Sequence, residues 1–246
     1  MADDKGSAGQ SVDLIVKADE ILDVLRSRGQ ATVAEIAEAN DEPRSSVYRL
    51  LGTLESIGVV EASSDRSTYQ IGLRLYHMAQ VVRDGMPIIP AALPAMERLA
   101  VETGETVFLM AQRDARSALC VHRIDGERVQ SMAVAPGGIV PLHLGAGPIV
   151  LLAHAPDAEE YLAELPADTA ADVRERLARI RETGYGVSDG DLVAGMAAIG
   201  APVTDDGGRV VAALSLSGAR AGILGDAEDR IVALVKQTAE SIPAIG

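Results

Sequence analysis

The sequence predicts an α+β protein with two domains, a small helical domain that ends in a β-hairpin and a larger domain of mixed helices and strands. Three observations support this interpretation. Apolar residues recur at three- and four-residue spacing as far as residue 58, which is typical of amphipathic helices. Two short β-prone runs around a polar tip follow within residues 59–72. Beyond residue 87, helical stretches are interspersed with apolar runs of strand length.

The first two helices are delimited by start and stop residues. After a small polar tail, residues 1–10, a helical apolar pattern begins at Leu14 and ends at Gly29. Thr32 and Glu35 have the spacing of a capping box, in which each side chain accepts a hydrogen bond from the backbone N–H of the other residue. A second short helix is therefore expected to begin at Thr32.

A third helix and the hairpin complete the first domain. Pro43 is suited to the first position of a helix, and Gly58 is suited to its end. The apolar residues expected to face the core are Val47, Leu50, Leu51, Leu54 and Ile57. The run VVEASSDRSTYQIG then predicts a hairpin with its tip at residues 63–67. Three helices of this length followed by a hairpin predict a winged helix-turn-helix over residues 11–72.

The rest of the chain predicts a connecting helix, residues 73–86, and a second domain, residues 87–246. Helices are expected at 90–103, after Gly147, near 157–165, at 169–182 and at 226–241. Strands are expected near 105–112, 117–124, 128–135, 197–204 and 209–217. Helices and mostly antiparallel strands mixed in this way favour an α+β sensor-like domain.

Composition limits the function. The 246 residues carry a formal net charge of −14, lack an apolar stretch long enough to span a membrane, and do not begin like a signal peptide. One cysteine excludes an intramolecular disulfide framework, so a cytoplasmic protein is expected. The negative charge argues at face value against a nucleic-acid partner. Residues 43–74, however, contain four arginines against three acidic residues, which gives this stretch a charge of +1.

The outer face of the third helix is the candidate surface for double-stranded DNA. It is short, uncharged or cationic, and free of carboxylates until Glu55, which suits the N-terminal part of a recognition helix in a major groove. A solvated helix face and a winged helix that binds protein are the alternatives, and the spacing favours DNA. The residues predicted to contact DNA are Arg44, Ser45, Ser46, Tyr48, Arg49, Thr53 and, at the wing tip, Arg66.

Several motifs in order resemble the IclR (isocitrate lyase regulator) family of bacterial transcription factors. They are EPRSSVYRLLGTLESIGVVE, YQIGLRLYHMAQ, VPLHLGAG and RETGYGVSDGDLVAGMAAIGAPVTDDGGRVVAALSLSG, and the likeness spans about residues 11–243. The resemblance implies a winged helix joined by a linker helix to a GAF-like effector-binding domain. It also implies a homodimer or homotetramer on a partly palindromic operator, and a repressor of a nearby catabolic operon.

The second domain contains candidate residues for a small-molecule site. From the residues alone, its glycine-rich turns suit either tight loops or a pocket, and Ser215 and Ser217 share one strand face opposite Leu214 and Leu216. The family pattern implies a pocket, with the backbone amides of Ala146 and Gly147 at a helix start available to an anionic group. The effector-binding residues that it implies are Val129, Met132, Val140, Ala146, Gly147, Ser188, Met196, Ala198, Ser215 and Ser217.

Two departures from the family pattern affect the expected ligand. The pattern often has a carboxylate where Ser188 stands, so here the acid is expected at Asp189 instead, and the Ala198 position can hold a more polar residue in the family. The loop reads GAGPIV, where Gly-Lys is usual at the positions of Pro148 and Ile149. A less polar pocket favours a larger or aromatic organic acid over a very small keto acid.

Enzymatic chemistry and cofactors are not expected. Ser215 and Ser217 lack the glycine spacing of a nucleophile elbow, and the four histidines lack the spacing of paired metal ligands. Cys120 is expected to be a small core residue. His143, in the loop of the predicted pocket, is expected either to bond a ligand or to be structural. A protein-interaction module and a ligand sensor that does not bind specific DNA remain the alternatives.

Overall fold

The computed structural model describes residues 4–128 and 134–244, and it divides into two compact units, Met1–Gly85 and Met86–Gly246. In the first unit, the helices are α1 (Asp4–Arg28), α2 (Val33–Ala39), α3 (Arg44–Ser56) and α4 (Leu73–Asp84). The strands β1 (Gln30–Ala31), β2 (Val60–Ala62) and β3 (Tyr69–Ile71) form an antiparallel sheet of order β1-β3-β2.

The predicted capping box is confirmed at the start of α2. The Thr32 hydroxyl accepts a hydrogen bond from the backbone N–H of Glu35, and the Glu35 carboxylate accepts one from the backbone N–H of Thr32 at 2.7 Å. Two otherwise unsatisfied helix N–H groups are thereby paired, which fixes where α2 begins. Gly29, with φ of +77°, ends α1 in the left-handed conformation that glycine adopts at low cost.

The core of the first unit joins α1, α2, α3 and the small sheet. Ile21, Ile36, Val47 and Leu51 are almost completely buried in it. The prediction that Ile57 belongs to the buried stripe is wrong. The helix ends at Ser56, so Ile57 leaves the helical period and is 46% exposed.

The wing between β2 and β3 is held by one carboxylate. Asp65 accepts hydrogen bonds from the hydroxyls of Ser63 and Ser67 and from the Ser67 backbone N–H. These bonds stabilise the ionised form and lower the pKa of Asp65 to about 2. Arg66, with φ of +54°, lies beside it at the tip.

The second unit is an antiparallel sheet covered on both faces by helices. Its helices are α5 (Ile88–Thr103), α6 (Ala146–His154), α7 (Ala158–Ala163), α8 (Ala167–Thr183), α9 (Arg220–Ile223) and α10 (Glu228–Glu240). Its strands are β4 (Thr106–Gln112), β5 (Ser117–Ile124), β6 (Ile139–Pro141), β7 (Gly186–Asp189), β8 (Met196–Thr204) and β9 (Val210–Ala219). The strand order is β6-β5-β4-β9-β8-β7.

Strand alternation divides the core of this unit into two layers. Val107 and Leu109 of β4 and Leu214 and Leu216 of β9 pack with α5 and α10 on one face. Phe108 and Met110 point to the opposite face, where they pack with α6, α7 and α8. The same alternation directs Ser215 to this second face.

Some elements differ from the sequence prediction. The strand expected near 128–135 falls mainly on residues that lie outside the described ones, and the strand that pairs with β5 is β6, at 139–141. The structure also contains two short strands, β1 and β7, that the sequence pattern does not predict. None of the helices in the described part of the chain combines the length and the apolar character needed to cross a membrane.

Candidate functional site

The outer face of α3 is open to solvent. Arg44, Ser45, Tyr48 and Arg49 are exposed, and Tyr48 keeps 62% of its surface accessible. Neither Arg44 nor Arg49 forms an ion pair with any residue that the structure describes, so both guanidinium groups are available to a partner. Apart from Glu55 in its last turn, whose side chain is 32% exposed, the accessible side chains of α3 are cationic or uncharged.

Three of the predicted contact residues are partly engaged within the protein. The Thr53 hydroxyl donates to the carbonyl oxygen of Arg49 at 3.1 Å, and the Ser46 hydroxyl bonds Glu42. A guanidinium nitrogen of Arg66 lies 3.8 Å from a carboxylate oxygen of Glu55, although the arginine side chain remains 74% exposed.

Two acidic residues at the ends of α3 are paired with cations. The Lys17 ammonium lies 2.8 Å from the Glu42 carboxylate and lowers the pKa of Glu42 through this hydrogen bond. Arg66 faces Glu55 in the same way. Glu42 and Glu55 are therefore paired, whereas Asp41, three residues before Arg44, is exposed and forms no ion pair with a described residue.

A cavity of about 60 Å³ lies in the second unit, between the sheet and the start of α6. Its wall is mostly apolar. The lining residues are Phe108, Met110, Val134, Val140, Gly145, Ala146, Pro148, Ser188, Asp191, Leu192, Val193, Met196, Ala197, Ala198, Ser215 and Ser217.

Strand register brings the polar lining residues together. Ser188 on β7 is paired with Ala198 on β8, and Ala198 is paired with Ser217 on β9, so these three side chains form a row across three strands. Ser215 stands two residues from Ser217 on the same face. Ser188 and Ser215 are buried, and none of the three serine hydroxyls forms a side-chain hydrogen bond with a described residue.

Glycine allows the start of α6 to approach the sheet closely. A Cβ atom on Gly200 would lie 2.7 Å from the Ala146 carbonyl oxygen, and one on Gly147 would lie 2.8 Å from the Met110 side chain. Only hydrogen fits at either position. Gly145 precedes the helix, and Pro148 contributes no N–H, so Ala146 and Gly147 supply the backbone amides at this end of α6.

Seven of the ten predicted pocket residues line the cavity: Val140, Ala146, Ser188, Met196, Ala198, Ser215 and Ser217. Gly147 lies behind the wall, where a Cβ atom would meet Met110 and the Ser215 hydroxyl. Val129 and Met132 are outside the described residues.

The expectation for the pocket acid is wrong. Asp189 forms an exposed ion pair with Arg220 at 2.8 Å, whereas Asp191 lines the cavity. Asp191 was missed because no local pattern marks it. One of its carboxylate oxygens accepts from the Gly145 backbone N–H at 3.1 Å and from the Arg176 guanidinium at 2.8 Å. Phe108, Met110, Leu192 and Val193 were also missed, although β-strand alternation at Phe108 could have indicated its face.

His143 and Cys120 lie in surroundings that suit a structural role. The His143 ring bonds the Tyr161 hydroxyl, and burial together with the nearby charge of Arg176 lowers the pKa of His143. Burial raises the pKa of the Cys120 thiol to about 11, which keeps it protonated at neutral pH. The residues that the structure describes contain no cluster of three or more His, Cys, Asp or Glu side chains suited to a metal ion.

Comparison with known proteins agrees with this arrangement. The family model for the bacterial transcriptional regulator IclR C-terminal domain matches residues 80–244, and the model for the IclR helix-turn-helix domain matches residues 14–64. The chain is 29% identical to the HTH-type transcriptional regulator KipR of Bacillus subtilis, with 93% of this chain and 94% of KipR covered. It is 30% identical to the HTH-type transcriptional repressor AllR of Salmonella typhi, with 88% and 83% covered.

A solved structure has the same fold. It is an IclR homolog from Microbacterium hydrocarbonoxydans complexed with 4-hydroxybenzoate, which superposes with a TM-score of 0.80 at 24% identity and covers 93% of this chain and 97% of its own. The relatives are transcriptional regulators and not enzymes. With both family domains matched in order along most of its length, the chain belongs to the IclR family of DNA-binding bacterial transcriptional regulators.

Proposed function

We propose that this protein is a ligand-responsive repressor that reads its operator with the outer face of α3. The observation that carries the proposal is the pair of exposed arginines, Arg44 and Arg49, in the part of α3 that precedes its single carboxylate, Glu55. In a major groove, one of them bonds guanine and the other bonds phosphate, while Ser45 and Tyr48 contact the backbone or base edges. Arg66 at the wing contacts the neighbouring phosphates.

Ser46 and Thr53 have a secondary role in this proposal. Their hydroxyls are already bonded within the protein, to Glu42 and to the Arg49 carbonyl oxygen. Each hydroxyl also has acceptor capacity left, so each keeps capacity for a water-mediated contact. We expect substitutions at these two positions to weaken operator binding less than substitutions at the two arginines.

We further propose that the cavity of the second unit binds an aromatic or similarly sized organic acid. Apolar walls favour a ring, and the hydroxyls of Ser215 and Ser217 with the Ala146 amide at the start of α6 suit a carboxylate. No Lys, Arg or His side chain of the described residues lines the cavity, so these neutral donors would hold the acid. The 4-hydroxybenzoate bound in the Microbacterium structure is a ligand of the same class.

The repressing form is proposed to be a homodimer or a pair of homodimers. The helix α4 has no buried residues. Five of its large apolar side chains are exposed: Leu73, Tyr76, Met78, Val81 and Val82. A second copy that covers this apolar helix would remove it from water. Two copies also place two α3 helices on the two halves of a palindromic operator.

In this proposal, α4 links the two activities. The ligand binds one arrangement of the second unit more tightly, and residues 73–86 convert that preference into a changed separation of the two wings. Release from the operator then opens the neighbouring catabolic operon to transcription. The AllR relatives are named as repressors, which supports this sign of regulation. Because its target is the bacterial chromosome, we expect the protein to act in the cytoplasm.

The experiment is an anisotropy titration of a labelled duplex from the region upstream of the protein's own gene, with and without 4-hydroxybenzoate. Specific binding in the range of roughly 10⁻⁸ to 10⁻¹¹ M, reduced by the acid, is expected. Equal affinity for this duplex and for a shuffled duplex would contradict the DNA proposal and favour a protein-interaction module. Specific DNA binding that no organic acid alters would contradict the ligand proposal alone.

A further inference from the structure

The segment between β7 and β8, residues 190–195, forms the outer wall of the cavity. We call it the cover segment. Leu192 and Val193 both line the cavity, yet 41% and 40% of their surfaces are accessible to solvent. Each side chain therefore has one side towards the cavity and the other towards water. A ligand that passes this wall needs the cover segment to move.

Both ends of the cover segment are glycines with left-handed backbone conformation. Gly190 has φ of +77° and Gly195 has φ of +80°, and a Cβ atom at either position would meet nothing within 4 Å. Open space and unrestricted backbone angles are the properties of a hinge. The Gly190 N–H donates to the Met196 carbonyl, and the Gly195 carbonyl accepts from the Arg220 N–H, so one hinge is anchored to β8 and the other to the start of α9.

Next to the Gly190 hinge, the cover segment is held by the side chain of Asp191. Oδ2 of Asp191 accepts from the Gly145 N–H before α6 and from the Arg176 guanidinium on α8. Arg176 also donates to the Val187 carbonyl at 3.1 Å. Leu192 rests on Gly145, where a Cβ atom would lie 3.2 Å from it. One carboxylate oxygen thus joins the cover segment to two helices.

The burial of this ion pair makes it a stronger fastening than a surface pair. The side chains of Asp191 and Arg176 are 17% and 23% exposed, so water and salt screen their attraction only partly. Asp189 and Arg220 form a nearby pair of equal length with 45% and 59% of their side chains exposed. Exposed pairs of that kind contribute little to stability. The Asp189–Arg220 pair is therefore a matched control for the Asp191–Arg176 pair, because the two have the same length and differ in exposure.

We propose that Asp191 is a positioning residue that latches the cover segment closed, and that opening of this latch controls how fast a ligand enters and leaves the cavity. The inference rests on the proposed function of the cavity as the ligand site. Asp191 acts through Gly145 and Arg176 and leaves ligand recognition to the serine hydroxyls. Loss of the latch raises the ligand dissociation rate and the association rate together, so the affinity changes less than either rate.

Hydrogen–deuterium exchange of the full-length protein tests the latch without a ligand. In Asp191→Asn and in Arg176→Gln, exchange of the Gly190 and Met196 amides, which donate to the Met196 and Val193 carbonyls, is expected to rise about tenfold, since breaking a partly buried ion pair loosens the cover segment. In Asp189→Asn, the matched control, exchange there should stay within about twofold. Unchanged exchange in both latch variants would overturn the proposal.

Ligand kinetics provide the second readout, with 4-hydroxybenzoate as the probe in stopped-flow displacement. About tenfold faster dissociation from Asp191→Asn, with wild-type rates in Asp189→Asn, is expected. Equal dissociation rates in wild type and Asp191→Asn would also overturn the latch. If the wild type fails to bind the probe, the proposed ligand class is contradicted, while hydrogen exchange still decides whether Asp191 holds the cover segment.

Discussion

The outer face of α3 and the cavity of the second unit are built in opposite ways. On α3, two arginines stand in water without ion-pair partners among the described residues. In the cavity, the one charged lining side chain among those residues, Asp191, is already neutralised by Arg176, and the remaining polar groups are hydroxyls. An exposed cationic surface recognises a charged polymer at long range, and an enclosed apolar surface recognises the shape of a small molecule.

One glycine in each region shows the same contrast between an open and a closely packed surface. Gly52 on α3 faces open space, so a side chain there would meet nothing within 4 Å. Gly200 on β8 lies so close to the Ala146 carbonyl that no side chain fits. The net charge of −14 does not by itself oppose DNA binding, because the proposed DNA surface is local and most of the negative charge lies elsewhere.

The largest expected effect is the loss of operator binding when the two arginines of α3 are removed and the cavity is left intact. Arg44→Ala combined with Arg49→Ala should weaken operator binding by about 3 kcal/mol, or roughly 100-fold, because each arginine contact contributes about 1–3 kcal/mol. The cavity should still bind ligand with unchanged affinity. Anisotropy and isothermal titration calorimetry measure the two properties. Arg26→Ala, which removes an exposed arginine paired with Asp23, is the control. Full operator affinity in the double variant would show that α3 is not the reading face.

The next largest effect is on stability, and it compares a glycine in a closely packed position with one in an open position. Gly200→Ala should lower the free energy of unfolding by about 2 kcal/mol, because the new methyl group displaces the start of α6. Gly52→Ala should raise it by up to about 1 kcal/mol, since alanine is the better helix former and has room. Denaturant titration measures both. If the two substitutions had the same sign, the contrast between open and closed glycine positions would be mistaken.

A smaller effect tests the hydroxyls. Ser215→Ala combined with Ser217→Ala should weaken ligand binding about tenfold and abolish most of the response to ligand, while operator affinity is retained. Ser241→Ala, in the same unit and exposed, is the control. Response to the acid is read from the anisotropy of the operator complex. A double variant that responds like the wild type would place ligand recognition on other groups.

The smallest effect concerns a buried acid outside both regions. Glu105 is 3% exposed and one of its carboxylate oxygens is buried without a hydrogen-bond partner among the described residues. Burial raises its pKa, and Arg128 at 3.8 Å offsets only part of this. The unfolded chain therefore ionises this group first as pH rises, so folding loses stability above the ordinary pKa of glutamate, about 4.3.

Glu105→Gln should consequently be more stable than the wild type by about 1 kcal/mol at pH 7, with the difference fading towards pH 4. Denaturant titrations across this pH range measure it. Glu102→Gln, on an exposed position of α5, is the control. A pH-independent difference for Glu105→Gln would mean that its charge has no part in the effect.

Sequence reasoning succeeded where structure is determined locally. The capping box at Thr32 and the alternation of Ser215 and Leu214 depend only on residues a few positions apart, so their spacing was sufficient. Sequence reasoning failed where contacts between distant segments determine the local structure. Strands such as β1 and β7 are too short for their own pattern, and pairing with a neighbour forms them.

The pocket acid is the clearest case of a distant determinant. Asp189 and Asp191 stand close together in the sequence, and only the approach of Gly145 and Arg176 selects Asp191. Those partners lie 46 and 15 residues away along the chain. No spacing rule relates them. The contacts that define the cavity wall therefore had to come from the three-dimensional structure.

The salt dependence of operator binding tests most directly whether a protein of net charge −14 reads DNA through local arginines. The logarithm of affinity should fall steeply and linearly with the logarithm of salt concentration, with a slope of about 0.9 for each phosphate neutralised. Of the two variants Arg44→Ala and Arg49→Ala, the one that removes the phosphate contact should reduce that slope by about one. A flat salt dependence, or a slope equal to that of the wild type in both variants, would contradict the account.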